Sequence, residues 1–452
     1  MSCGPYALFR YLLETEGSTY THVWVMADPA DWKALRKAYA GMENVQFVKY
    51  KSRAYNKYLA TAGYVINNVT FPQYFRKRQG QTYINTWHGI PLKKMGYDMP
   101  NGAVDAANIV RNFLQADYLL SPNAHHTDMY LKAYKLKDIY AGTILETGQA
   151  RTDTIVKALQ TDKKAEVLAK LRRHGVVIEE GKKIILYAPT WRGTNWGSPG
   201  DAATEYEDFY TQCCSSIDTK RYTVLVKPHV AVYQKLKRDG QWTKPYFVPG
   251  NLDTNELLSV VDILISDYSS IFYDFLITGR PVLFYCNDLE AYAAYRGVED
   301  ITENLPGPMT ADRSELFGML RNIERVQAEY QAQYTKIRNR HCPKDDGQVC
   351  RRIAETVFLH KKGAEVVYTG KQTGEKKKIL FFLGALRAYG IAYSLLSLLR
   401  NLDYEKYDVT VYVYAPKNEG ERERLSQIPK EVRVLVHTKA VFGNMAEMMR
   451  FA

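Results

Sequence analysis

The chain has 452 residues, 46% of them hydrophobic, which excludes a disordered protein and predicts two or three domains with sizeable cores. Its net charge of +12 favours a polyanionic partner. No zinc-finger spacing, RNP-type motif or helix-turn-helix signal accompanies that charge, so specific nucleic-acid binding is disfavoured against an anionic membrane or a phosphate-rich polymer.

Apolar spacing predicts a helix over residues 6–14, a strand over His22–Met26, a helix over Trp32–Tyr39 and a strand over Val45–Val48. A helix over Tyr55–Thr61 and a strand over Tyr64–Ile66 continue a rhythm that points to a doubly wound sheet. Such a domain normally opens on a strand and this chain opens on a helix, so the first strand is expected to be missing. A strand over Gln81–Trp87 runs straight into His88, with Gly89 allowing a sharp turn and Lys93 close behind. A histidine at the carboxyl end of a parallel strand lies where open α/β sheets bind ligands, which raises His88 above an ordinary structural histidine.

Strands follow at Tyr118–Ser121 and Thr143–Glu146, with His125 and His126 between them. Adjacent histidines on a helix point different ways, so the pair implies no metal and reads as surface or pocket-edge groups. The crossover to a second domain is expected at 148–153, which carries Arg151, and a charged helix at 163–174 follows. The second domain then opens with a strand at Lys183–Tyr187, after which Arg192 is a phosphate-contact candidate. The strand Tyr222–Val226 leads directly to Lys227 and His229, a second cation-plus-histidine at a strand edge. A short strand is expected at Tyr246–Pro249, and 253–256 reads as a helix cap.

Val261–Ile265 is an apolar run of the kind buried in a parallel sheet. Residues 266–270 break it with small and polar groups, and Ser269 or Ser270 caps a helix that begins near Ile271 and ends at Gly279. Free N–H groups, the helix dipole and serine hydroxyls together suit a phosphate, although an ordinary capped turn would read the same way. A strand at Val282–Tyr285 follows, then a polar stretch holding Arg296, then charged helices at 314–340 and 348–360. Residues 361–378 read as a basic linker, and strands at Ile379–Leu383, Val409–Tyr414 and Val432–His437 open a partial third α/β domain. The six cysteines show no C-x-x-C spacing and read as free thiols. No run of 18 apolar residues and no leader pattern is present, so the expectation is a soluble or peripheral protein.

Six motifs in order, TWHGIPLKKMG (86–96), ETGQARTD (146–153), YAPTWRG (187–193), KPH (227–229), SDYSSIFYDF (266–275) and TGRPVLFY (278–285), resemble those of the CDP-glycerol glycerophosphotransferase family over about residues 5–355. The chain departs from the family at 149–150, where Gln-Ala stands in place of Tyr-Pro, while Arg151 and Asp153 are kept. Residues from 379 onward resemble the start of a further glycosyltransferase-like segment.

The resemblance implies an α/β, GT-B fold: two Rossmann-like doubly wound domains facing across a cleft. The domains would be 1–153 on the acceptor and membrane side and 154–360 for CDP-glycerol, followed by the linker 361–378 and the partial domain 379–452. It implies transfer of glycerol phosphate from CDP-glycerol to a lipid-linked glycerol-phosphate or glycan acceptor, with CMP released, at the cytoplasmic face of the cell membrane. In that reading His88, from the N-terminal domain, is the base, and His229 hydrogen-bonds the diphosphate. Ser269 and Ser270 cradle phosphate; Arg192, Lys227, Arg296, Lys93 and Arg151 are further substrate contacts. Asp267 and Asp274 either orient His229 or bind glycerol hydroxyls, and Asp274 reads equally as a first-turn helix charge. No DxD motif stands at a strand end, so no obligatory metal or other cofactor is expected. Lys51, Arg53, Lys57, Arg76, Lys77, Arg78, Lys93 and Lys94, interleaved with Tyr55, Tyr58, Tyr74 and Phe75, form a candidate face for an anionic membrane surface. A CDP-ribitol enzyme, a nucleotide-sugar GT-B glycosyltransferase and a non-catalytic membrane- or polymer-binding module remain as alternatives.

Overall fold

Residues Ile263–Ser266 and Val282–Tyr285 are buried at every position, as strands covered on both faces must be. The computed structural model describes residues 2–27, 29–161, 163–190, 202–238, 240, 244–296, 305–370 and 375–437. In chain order its strands are β1 (His22–Met26), β2 (Val45–Lys49), β3 (Tyr64–Asn67), β4 (Thr82–Asn85), β5 (Tyr118–Ser121), β6 (Thr143–Glu146), β7 (Lys183–Tyr187) and β8 (Tyr222–Val226). They continue with β9 (Ile263–Ser266), β10 (Val282–Tyr285), β11 (Met309–Thr310), β12 (Glu365–Thr369), β13 (Lys377–Gly384), β14 (Tyr407–Tyr414) and β15 (Arg433–His437).

The chain divides into two units, each assembled from three stretches. One comprises Met1–Phe47, His88–Lys93 and Thr147–Ala364; the other comprises Val48–Trp87, Lys94–Glu146 and Glu365–Ala452. The expected division was different: it placed all of 1–153, His88 included, in one domain and kept 379–452 apart.

The first unit holds a five-stranded parallel sheet in the order β11-β10-β9-β7-β8. Side chains alternate across it. Ile184, Leu186, Leu264, Val282 and Phe284 enter one core, and Ile185, Tyr187, Ile263, Ile265, Leu283 and Tyr285 enter the other. The segment expected as a strand at 246–249 makes only a single bridge, Phe247 to Val226. The long helix expected at 314–340 is two helices, Arg313–Arg321 and Ile323–His341, which meet at Asn322.

The second unit holds the sheet β12-β6-β5-β4-β3, parallel except for β12, which runs antiparallel to β6. The expected linker therefore contains a paired strand. Strands β13-β14-β15 form a separate parallel sheet in the same unit. Arg433 fixes it in place, donating from Nε to the Lys135 carbonyl and from Nη2 to the Lys137 carbonyl at 2.7 and 3.0 Å. Strands β1 and β2 join neither five-stranded sheet; they pair with each other. Among the described residues no helix is long and apolar enough to cross a membrane.

Candidate active site

Strand β4 ends at Asn85, whose side-chain oxygen accepts the Trp87 amide at 2.9 Å. Trp87 then takes φ of +49° and Gly89 +146°, so the turn carrying His88 is held in sparsely populated backbone geometry. Strain of this kind, about 1–3 kcal/mol for a non-glycine residue, concentrates at functional turns. Past the turn, Ile90 and Leu92 are buried in the core that also receives Leu186, Leu264 and Phe284. These two side chains explain why His88–Lys93 belongs to the first unit and not, as expected, to the N-terminal domain. The His88 side chain itself is exposed.

The turn lies against the loop after β9. A Cβ added to Gly89 would stand 3.0 Å from Arg151 Nη2 and 3.4 Å from the Ser270 hydroxyl. Ser270 is the N-cap position of the helix Ile271–Phe275 but makes no side-chain capping bond, and Ser269 Oγ accepts the Ile271 amide at 3.4 Å. The helix is only five residues long, passes into a tighter turn at Leu276–Thr278, and ends where Gly279 takes φ of +71°. Its dipole is correspondingly small.

Lys93 reaches the same region, its ammonium 5.0 Å over the Tyr292 ring. Tyr292 stacks on Tyr268 at 4.1 Å, and the Tyr268 hydroxyl donates to Asp288 at 3.0 Å. Lys93 and Lys227 both act on His229. Burial first, then the positive charges of Lys227 and Lys93, lower the His229 pKa to about 4, so the imidazole is neutral at pH 7. Burial also lowers Lys227 to about 8, with Asp253 opposing the shift.

Both carboxylates are hydrogen-bonded within the protein, and Asp274 stands in the first turn of the helix Ile271–Phe275, as its alternative reading expected. Asp267 takes the Thr190 amide on both oxygens at 2.9 Å and the Thr190 hydroxyl at 2.7 Å, tying the end of β7 to the end of β9. Asp274 is gripped by Arg151 through Nε and Nη2 at 2.9 and 3.0 Å and receives Gln149 Nε2 at 2.9 Å. Arg151 Nη1 donates to the His88 carbonyl at 2.7 Å. Three of the five N–H donors of this guanidinium, expected to contact substrate, are thus engaged within the protein. Asp153, next in the motif, accepts the Val349 and Cys350 amides at 3.1 and 2.7 Å and so caps the helix Val349–Ile353.

Arg192 lies outside the described residues, as does the side chain of Arg296. Asp345, Gln149 and Tyr292 join the neighbourhood without having been singled out as site residues. Asp345 is buried and accepts the Gln149 amide at 2.9 Å and the Thr152 hydroxyl at 2.7 Å. Burial raises it to about 7, against the pull of those two hydrogen bonds and with help from Asp274 and Asp153. His126, read as a surface or pocket-edge group, is buried against the Tyr130 ring. Among the described residues, no group of three or more His, Cys, Asp or Glu stands together as a metal site.

The basic face proposed for a membrane is only partly available. Lys51, Arg53, Lys57, Arg76 and Arg78 are exposed, and so is Tyr74, but Tyr55 and Phe75 are buried and Lys77 pairs with Asp117.

Residues 1–359 match the family model described as CDP-Glycerol:Poly(glycerophosphate) glycerophosphotransferase. A teichoic acid glycerol-phosphate transferase of Staphylococcus aureus is 30% identical over 372 residues, 79% of this chain and 90% of that protein. A teichoic acid poly(glycerol phosphate) polymerase of Staphylococcus epidermidis is 28% identical over 373 residues, and this chain spans about half its length (49%). The solved wall teichoic acid polymerase TagF superposes with a TM-score of 0.65 at 26% identity, covering 79% of this chain and 85% of that one. A variant of TagF has also been solved with CDPG.

Proposed function

Because the chain belongs to the CDP-glycerol:poly(glycerophosphate) glycerophosphotransferase family, we propose that it transfers glycerol phosphate from CDP-glycerol to a hydroxyl of a membrane-linked teichoic-acid-like or capsule acceptor, releasing CMP. The two five-stranded sheets are then the Rossmann-like halves of a GT-B fold. One observation carries the reading at the level of residues. The His88–Lys93 stretch is anchored in the unit that holds Ser270 and His229; it brings Gly89, next to His88, against Ser270, and it places His229 in the field of Lys93.

The chemistry follows from that set. His88 accepts the proton of the acceptor hydroxyl as its oxygen attacks the glycerol-bearing phosphorus. The bond from that phosphorus to the CMP oxygen breaks, and CMP leaves with the electron pair. Lys93 and Lys227 offset the charge that accumulates on the departing phosphate. His229, neutral beforehand, donates a hydrogen bond to the diphosphate, whose negative charge opposes the lysine field and favours the imidazolium. Ser269 and Ser270 offer hydroxyl donors beside it. No metal is required in this scheme.

The acceptor is placed at the cytoplasmic face of the membrane, with the protein peripheral. The exposed residues Lys51, Arg53, Lys57, Arg76 and Arg78 support a contact with anionic lipid, at about 1 kcal/mol for each basic residue near the surface. The test of the function is CMP release from CDP-glycerol with a glycerol-phosphate-primed lipid, using wild type, His88→Ala and His229→Ala. Wild-type turnover that drops by roughly 10²-fold or more in both variants is the expected result. Turnover with CDP-ribitol in place of CDP-glycerol would change the donor, and absence of turnover with any CDP-polyol would overturn the reading.

A further inference from the structure

We propose that Arg151 and Asp274 are positioning residues for His88, a buried brace that sets the main chain of the His88–Gly89 turn and never touches the donor. The inference rests on the transfer reading above for its kinetic consequences, but its structural content stands separately.

The brace is built from bonds that leave a guanidinium little freedom. Arg151 spends Nε and Nη2 on the two oxygens of Asp274 and Nη1 on the His88 carbonyl. The Arg151 and Asp274 side chains are 12% and 7% exposed. Because the guanidinium is planar, fixing two of its edges fixes the direction of the third bond. Asp274 is fixed in turn by Gln149 Nε2, and the Gln149 amide is held by Asp345. Gly89 packs closely on the guanidinium: a Cβ there would stand 3.0 Å from Nη2, tight enough to push the fork aside by a few tenths of an ångström, in a backbone conformation of φ +146° that suits glycine. Asp274 also sits one helical turn after Ser270 on the short helix Ile271–Phe275. One ion pair therefore holds the His88 carbonyl and the helix that starts at Ser270 in a common register, while the imidazole of His88 is left exposed. A buried ion pair adds little net stability, so stabilisation alone does not account for it.

The test uses the whole chain with Arg151→Lys, which keeps the charge but not the fork, and Asp274→Asn, which keeps the shape but not the charge. Hydrogen–deuterium exchange over residues 86–92 reads the turn directly. Exchange there is expected to quicken by roughly tenfold in both variants, the loss of one good hydrogen bond, with exchange in β7–β10 unchanged. In CMP release, Arg151→Lys is expected to lower kcat by roughly 10²-fold, the scale of a misplaced catalytic group, with little change in the KM for CDP-glycerol. On a His88→Ala background the same change is expected to cost almost nothing further, because the two residues act as one unit. A raised KM with kcat preserved would make Arg151 a donor contact and overturn the proposal. Unchanged exchange, or fully additive losses in the double variant, would overturn it too. If Arg151→Lys does not fold, Asp274→Asn carries both readouts. If the wild type releases no CMP, the transfer reading falls and the exchange experiment alone decides the brace.

Discussion

The Lys93 ammonium sits 5.0 Å over the face of Tyr292. A cation held over an aromatic ring keeps its charge and loses its freedom, and such a contact contributes about 0.5–2 kcal/mol. Tyr292 thereby orients a cation that also acts on His229. Tyr292→Leu is expected to weaken CDP binding by roughly 2- to 30-fold, the same contribution expressed as affinity. Tyr292→Phe keeps the ring and is expected to stay near wild type. Calorimetric titration with CDP checks both, and equal losses in the two variants would remove the ring from the account.

His229 gives the protein a defined response to acid. In the unfolded chain it titrates near 6.5 and in the folded one at about 4, so the unfolded state binds more protons between those values. Folding stability should therefore rise with pH across that window, by at most about 3 kcal/mol in total. Denaturant midpoints from pH 4 to 7 should be flatter in His229→Gln than in wild type. A bound diphosphate reverses the local field, so CDP binding is expected to take up a proton and to weaken as pH rises through the pKa of the complex. Titrations at one pH in two buffers of different ionisation enthalpy measure that uptake directly.

Asp345 works in the opposite sense. Its folded pKa of about 7 lies above the ordinary 3.8, so the folded state holds the extra proton and stability falls as pH rises between those values. Its Oδ2 is buried without a hydrogen-bond partner. Asp345→Asn keeps an oxygen for the Gln149 amide and the Thr152 hydroxyl and removes the anion. It is expected to stabilise the protein at pH 8, by no more than about 4 kcal/mol, and to give no gain at pH 4. Melting curves at the two pH values test this, and destabilisation at pH 8 would contradict it.

Lysines in the place of a metal make a further expectation concrete. CMP release should be the same in excess EDTA as in added Mg²⁺. Loss in EDTA that Mg²⁺ restores would assign the phosphate charge to a cation that the protein recruits.

The sheets were legible in the sequence wherever apolar runs ended at polar turns. Tyr118–Ser121, Thr143–Glu146, Lys183–Tyr187, Tyr222–Val226 and Val282–Tyr285 are strands at the residues expected. β12 was passed over because lysines flank it on both sides, although Val366, Val367 and Tyr368 lie between Gly363 and Gly370 and carry a strand signal of their own. The histidines stood out because each follows directly on a strand end. Which carboxylate does what could not be read from spacing. Asp267 and Asp274 both sit beside Ser269 and Ser270 in sequence, yet their partners, Thr190 and Arg151, come from segments 77 and 123 residues away. For the same reason the grouping of His88–Lys93 with the first unit could not be read ahead: Ile90 and Leu92 look like any loop apolars until the core they enter is seen.

Three stretches in each unit mean five junctions along one chain. During synthesis, neither unit can finish in the order in which it is made. Met1–Phe47 and His88–Lys93 must wait for strands that emerge after Thr147, and β6 waits for β12 beyond Ala364. The nascent polypeptide therefore leaves the ribosome with apolar segments such as Ile90–Leu92 still without a core. A split of the gene at 153/154, natural as it looks on paper, would separate the His88 turn from both Asp274 and the core that receives it.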